Sequence, residues 1–196
     1  MAKETSPTFV LKVKMHTDES DEKLIETELE INRAINNTCL GELLKREKCM
    51  KRTKRHKQLI RMYRAISKKL AGAEKQNNKA SISFYKLEKE EVNGKFAVLR
   101  KEFGVSEFSI HQYMNPIRSH FENQVNANVA QKTATRAWNA FKETMYGKAN
   151  SVFFKRKGEM DSFEGKTNGT GWVYKNRKIK YGNQFIELNV KRNDTY

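Results

Sequence analysis

The sequence predicts an α+β chain in which a long helical block is inserted into one small β unit, and three observations predict it. The chain opens on an alternating segment, Thr8 to His16, where Phe9, Leu11, Val13 and Met15 interleave with Val10, Lys12, Lys14 and His16, the period of a half-buried strand. Apolar residues then recur at helical spacing through the middle of the chain. After Gly147 the texture changes to Ser151–Phe154, Gly171–Tyr174, Lys178–Tyr181 and Phe185–Val190, short runs of β-branched and aromatic residues punctuated by Gly158, Gly165, Gly169, Gly171 and Gly182. Pairing the first strand with the last ones buries both, so residues 1–17 and 149–196 are expected to form the β unit and residues 18–148 the helical insertion.

Each element has a local reason. Asp18, Glu19, Asp21 and Glu22 crowd a helix start, where the dipole favours negative charge. That helix, with Leu24, Ile31 and Ile35 on one face, is expected to run to about Leu44, and a basic helix beyond it to about Leu70. Ala71 to Ala80, with Gly72, Asn77 and Asn78, reads as a loop. A second helical stretch ends near Phe103, with Gly104 as its cap, and Ser106 opens the next helix, which Pro116 is expected to kink or interrupt. The clearest helix spans about Asn128 to Tyr146, with a capping-box-like Asn128–Gln131 spacing and Ala130, Ala134, Ala137, Trp138, Phe141 and Met145 on one side.

Charge narrows the function classes. The 196 residues carry a formal net charge of +16, which favours a polyanionic partner. Between Lys45 and Lys69 twelve Lys and Arg face a single acid, Glu47. A solvated helix face is the competing reading, but so nearly single-signed a run repels itself unless a partner supplies counter-charge. The candidate contacts there are Lys51, Arg52, Lys54, Arg55, Lys57, Arg61 and Arg64, joined by Lys132 and Arg136 on the polar side of the later helix. The narrow apolar stripe of Leu59, Met62, Tyr63, Ile66 and Leu70 suits a neighbouring helix better than a bilayer. No apolar run is long enough to span a membrane. Two cysteines, Cys39 and Cys49, give no disulfide framework and suit a cytoplasmic setting. With 37% hydrophobic and 10% aromatic residues the chain can build a core.

Catalytic and metal signatures are not found. The four aspartates lie in a helix start (Asp18, Asp21), a loop (Asp161) and the last residues (Asp194), with none in an apolar strand. Cys39 and Cys49 lack zinc-ligand spacing, and His16, His56, His111 and His120 are dispersed. Gly165-Lys166-Thr167 resembles the tail of a phosphate loop, but Met160 stands where that motif needs glycine. Neither a cofactor nor a metal is expected. What persists is cations beside aromatics: Phe153-Phe154-Lys155-Arg156-Lys157-Gly158 and Trp172-Val173-Tyr174-Lys175-Asn176-Arg177-Lys178. Lys155, Arg156 and Lys157 are expected to contact nucleic acid and Phe153 to enter the core.

Several motifs stand in an order that resembles one family: Ala130 to Trp138, Tyr146-Gly147-Lys148-Ala149, Val152 to Gly158, Asp161 to Lys166, and Gly171 to Lys175. Together they resemble the N-terminal half of TnpB-type proteins, transposon-encoded RNA-guided endonucleases long labelled transposases and related to type V CRISPR effectors. The resemblance implies a wedge-type β-barrel, complete or incomplete, interrupted by a helical recognition lobe. It implies guide RNA and target DNA as partners, with a short target-adjacent motif read on the DNA. Ser162, Thr167 and Asn168, after the basic strand, are candidates for that reading. Cleavage in the family belongs to a RuvC-like domain further along, so this chain, ending at Tyr196, is expected to bind without cutting and to leave the nuclease to another chain. A stand-alone DNA-binding repressor and a structural protein completed by a partner chain are the alternatives.

Overall fold

The computed structural model describes residues 12–122, 124–166, 172–181 and 184–189. Among them five helices and four strands make an α+β fold: α1 (Glu19–Arg52), α2 (Lys54–Lys75), α3 (Lys79–Glu102), α4 (Glu107–His120), α5 (Ala127–Met145), β1 (Met15–His16), β2 (Val173–Lys175), β3 (Lys178–Tyr181) and β4 (Gln184–Leu188). The sheet is antiparallel with strand order β1-β4-β3-β2, and Met15 lies opposite Leu188. The first strand therefore pairs with the last, and all five helices intervene between two neighbours in one sheet. Among the described residues the sheet is open, with β1 and β2 at its edges, and is not a closed barrel. Residues 8–11 of the expected first strand, Gly169, Gly171, Gly182, Val190 and Asp194 lie outside the described residues.

The core is built where α1 meets α5 and α4. Ile31, Ile35, Cys39, Leu40 and Leu43 of α1 are buried with Val129, Ala130, Ala134, Ala137 and Phe141 of α5 and with Ile110 and Met114 of α4. The small side chains on α5 present a low surface to the larger ones of α1. One polar pair crosses this core: Thr133 donates its hydroxyl to Asn32 Oδ1 at 2.6 Å, and Asn32 Nδ2 donates to the Glu28 carbonyl. Both buried side chains are thereby hydrogen-bonded, as burial requires.

Several boundaries differ from expectation. α1 continues to Arg52, and the helix breaks at Thr53 before α2 begins. The Thr53 hydroxyl donates to the Met50 carbonyl at 2.8 Å and accepts the His56 amide at 3.1 Å, so one side chain serves both exposed helix ends. Helix α2 runs on to Lys75, with Ala73 buried like Leu59, Ile66 and Leu70 before it. The connection shrinks to residues 76–78, with Asn77 at φ +50° and Asn78 capping α3. Pro116 sits inside α4 without ending it. It removes one donor, while buried Ile110 and Met114 hold the helix against its neighbours. Asn126, not Asn128, caps α5, accepting the Asn128 amide at 2.9 Å. Gly104, at φ +64°, follows α3 as expected, and Ser106 caps α4.

Ser151–Phe154 is not a strand. Residues 149–165 form an irregular strap over α1. Asn37 substitutes for a strand partner: its Oδ1 accepts the Lys155 amide at 2.9 Å and its Nδ2 donates to the Lys155 carbonyl at 2.8 Å. Held this way, Phe153 is 82% exposed rather than in the core.

The sheet is fastened to the helices at Tyr181. Its ring stacks on Trp172 with centroids 4.5 Å apart. Its hydroxyl donates to the buried Glu28 carboxylate and accepts the Asn126 amide at 3.1 Å. Burial pushes the Glu28 pKa up to about 7, against a lowering by the Tyr181 hydroxyl.

Candidate nucleic-acid interface

Helix α2 separates its residues into two faces. Leu59, Ile66, Leu70 and Ala73 are buried, and Phe96 of α3 meets His56 and Tyr63 edge-on. On the other side Lys54, Lys57, Arg61, Arg64, Lys68 and Lys75 are exposed and succeed one another at 3, 4, 3, 4 and 7 residues. At 100° per residue this spacing keeps all six on one stripe opposite the buried face, about 30 Å long at 1.5 Å per residue. Among the described residues none of the six has a carboxylate within ion-pair distance. Glu74 is the helix's single acid, and its first turn holds Lys54 and Arg55 with no acidic residue. Cations at the positive end of a helix dipole oppose its stability, and Lys54, with no ion-pair partner among the described residues, gives the fold nothing in return.

The neighbouring cations are tied down. Lys51 pairs with Glu47 at 2.8 Å, and Arg55 reaches both carboxylate oxygens of Glu102 on α3 at 2.8 and 2.7 Å. Lys69 lies over the Tyr85 ring. Arg52, at the end of α1, is exposed. Of the seven candidate cations in this stretch, five stand free among the described residues and two are ion-paired.

The remaining candidates belong to a different part of the fold. Arg136 of α5 donates to the Ser162 carbonyl at 2.7 Å and to its hydroxyl oxygen at 3.3 Å, and that hydroxyl donates to Asp161. Lys132 lies 3.7 Å from Glu164. In the strap the Lys155 ammonium donates to the Glu159 carbonyl at 3.2 Å, and the Glu159 carboxylate accepts the Arg156 amide at 2.7 Å. Arg156 and Lys157 are exposed. Thr167 and Asn168 lie outside the described residues.

Beside Lys132 a polar cleft of about 390 Å³ is lined by Glu107, His111, Gln131, Lys132, Thr135 and Lys166. One chain of hydrogen bonds runs through it. Lys166 donates to Gln131 Oε1 at 3.2 Å, Gln131 Nε2 faces His111 Nδ1 at 3.3 Å, His111 Nε2 faces the Thr135 hydroxyl at 2.9 Å, and Thr135 donates to Glu107 at 2.8 Å. This order assigns the proton to Nε2. It makes His111 neutral, in keeping with a pKa lowered by burial and by Lys166 against the pull of Glu107. Among the described residues no three His, Cys, Asp or Glu side chains converge on a metal position.

Comparison with protein-family models, with curated proteins and with solved structures finds no match for this chain.

Sequence reading missed two features. The free stripe reaches Lys75, because the helix is longer than its loop-like residues suggested. The polar cleft was also missed: His111 reads as one of four scattered histidines and Gln131 as a capping residue. The available signal was the pair of i, i+4 spacings, Glu107 with His111 and Gln131 with Thr135, on consecutive helices.

Proposed function

We propose that the chain is a nucleic-acid-binding protein whose principal contact surface is the free cationic stripe of α2, gripping a guide-type RNA along its phosphates without cleaving it. In this reading it corresponds to the N-terminal part of a TnpB-like RNA-guided endonuclease. The helices act as the recognition lobe, the open sheet belongs to the wedge unit, target DNA is a second ligand, and cutting is left to a nuclease domain carried elsewhere. One observation carries the reading: six exposed cations on one helix face, with no acid paired to any of them among the described residues. A face that serves only solubility has no need of one sign, and the repulsion along it is relieved by a polyphosphate.

Filter binding of the full chain to a structured RNA and to duplex DNA of equal length tests this. Tight binding to the RNA is expected, exceeding that to the duplex, with a log–log salt slope of about −5 if six phosphates are neutralised. A preference for duplex DNA would make the chain a DNA-binding repressor instead. No retention of either at low salt would remove nucleic acid from its function.

A further inference from the structure

We propose that Phe153 is a stacking platform for an unpaired base, served by the adjoining cations of the strap, so that the protein grips single-stranded nucleotides at a site apart from the α2 stripe. The inference rests on the nucleic-acid reading above and adds a substrate class and a second site to it.

Exposure alone does not distinguish a phenylalanine, since single apolar side chains are common on surfaces. The backbone that follows this one does. Asn37 clamps both the amide and the carbonyl of Lys155, and Arg33 Nη1 reaches the same carbonyl at 3.4 Å. Glu30 accepts the Gly158 amide at 2.9 Å, and Glu159 accepts the Arg156 amide at 2.7 Å. Three side chains of α1 are thus committed to holding a short segment whose most prominent feature is a phenyl ring 82% exposed to water. The next ring, Phe154, leans on the Cα of Gly41, where an added Cβ would meet its edge at 3.7 Å. The first ring is therefore left outermost, two residues before a backbone that α1 holds in place at Lys155, and stacking on it costs less ordering entropy than on a loose segment.

The charge around the ring selects the occupant. Lys155, Arg156 and Lys157 follow directly, and the side chains of Arg156 and Lys157 have no hydrogen-bonded or ion-paired partner among the described residues. The nearby carboxylates are already engaged: Glu30 with Arg33 and the Gly158 amide, Glu159 with the Arg156 amide, and Asp161 with Ser162. An apolar partner would have to strip water from these ions without repayment. A nucleotide brings a π-face for the ring and a phosphate for the cations. In a duplex each base face is covered by its neighbours, so the site suits an unpaired base.

Fluorescence anisotropy with the full chain, a labelled short oligouridylate and a blunt RNA duplex tests the proposal. Phe153→Ala is expected to weaken oligouridylate binding roughly tenfold while changing duplex binding by less than about twofold. Phe153→Trp is expected to retain the wild-type preference, which also shows that the position tolerates change without unfolding. Equal losses on both probes, or none on the oligouridylate, would overturn the stacking site while leaving the nucleic-acid reading intact. Failure of the wild-type chain to bind either probe would overturn both. Phe153-dependent binding to anionic vesicles with no effect on oligouridylate would reassign the ring to a lipid surface and overturn the proposal.

Discussion

On α2 six cations stand clear of every described carboxylate, whereas Lys132 and Arg136 of α5 and Lys155 of the strap are tied into the fold through their side chains. Arg136 holds Ser162, Lys132 pairs with Glu164, and the Lys155 ammonium donates to the Glu159 carbonyl. Both regions are basic in the sequence, and only the structure separates them. Charge that does no internal work is surplus to folding, so its removal should alter binding and spare stability. Charge that is itself hydrogen-bonded or ion-paired into the architecture cannot be removed without cost to the fold.

The most direct way to break this contrast is to reverse the α2 stripe. Lys57→Glu, Arg61→Glu and Arg64→Glu together should lower RNA affinity at least about a hundredfold near 0.1 M salt and flatten the salt slope. The thermal midpoint should stay within about 2 °C, because these exposed side chains have no described partners. A collapse of the midpoint would show that the stripe supports the helix after all.

The joint between sheet and helices makes a separate, pH-dependent demand. Glu28 has a folded pKa raised to about 7 from an ordinary 4.5. The folded state therefore holds a proton that the unfolded state releases between those values. Its contribution is complete below pH 4.5, declines as pH rises, and is lost by about pH 7. The amount is about 3 kcal/mol across that window. Urea unfolding at pH 5 and pH 8 should show this decline in the wild type, and Glu28→Gln should remove most of it. An unchanged pH dependence in the variant would place the titration elsewhere.

A smaller effect sharpens the contrast from the strap side. Asn37→Ala removes both bonds to the Lys155 backbone and should cost about 2 kcal/mol of stability, measured by the shift of the urea midpoint. An equal cost from Arg61→Ala, a free cation of α2, would erase the distinction between the two regions.

What was legible in the sequence was local. The acids at Asp18 to Glu22, Gly104 past α3, Ser106 before α4 and the alanine stripe of α5 each announce an element through its own chemistry. The pairing of the first strand with the last followed as the simplest way to bury both. What escaped depended on tertiary partners. Thr53 breaks a helix because its hydroxyl serves two ends, and residues 71–75 stay helical with Ala73 buried. Ser151 to Phe154 looks like a strand in sequence, yet Asn37 on α1 takes the partner's role and Phe153 stands outward. The α2 stripe was visible as a charge run. Its freedom from acids was not, since that depends on where α3 places Glu102 and on which face α2 buries.

The opposition of Met15 and Leu188 also sets an order of assembly. The strand at Met15–His16 finds its partner only once Leu188 has emerged. Helices form from near-neighbour contacts and close quickly, while pairing over such a separation is slow. The helices should therefore condense first and the sheet after them, leaving unpaired strand edges exposed until β4 arrives. A pulse of hydrogen exchange during refolding would then find the amides of α1 and α5 protected before those of β4.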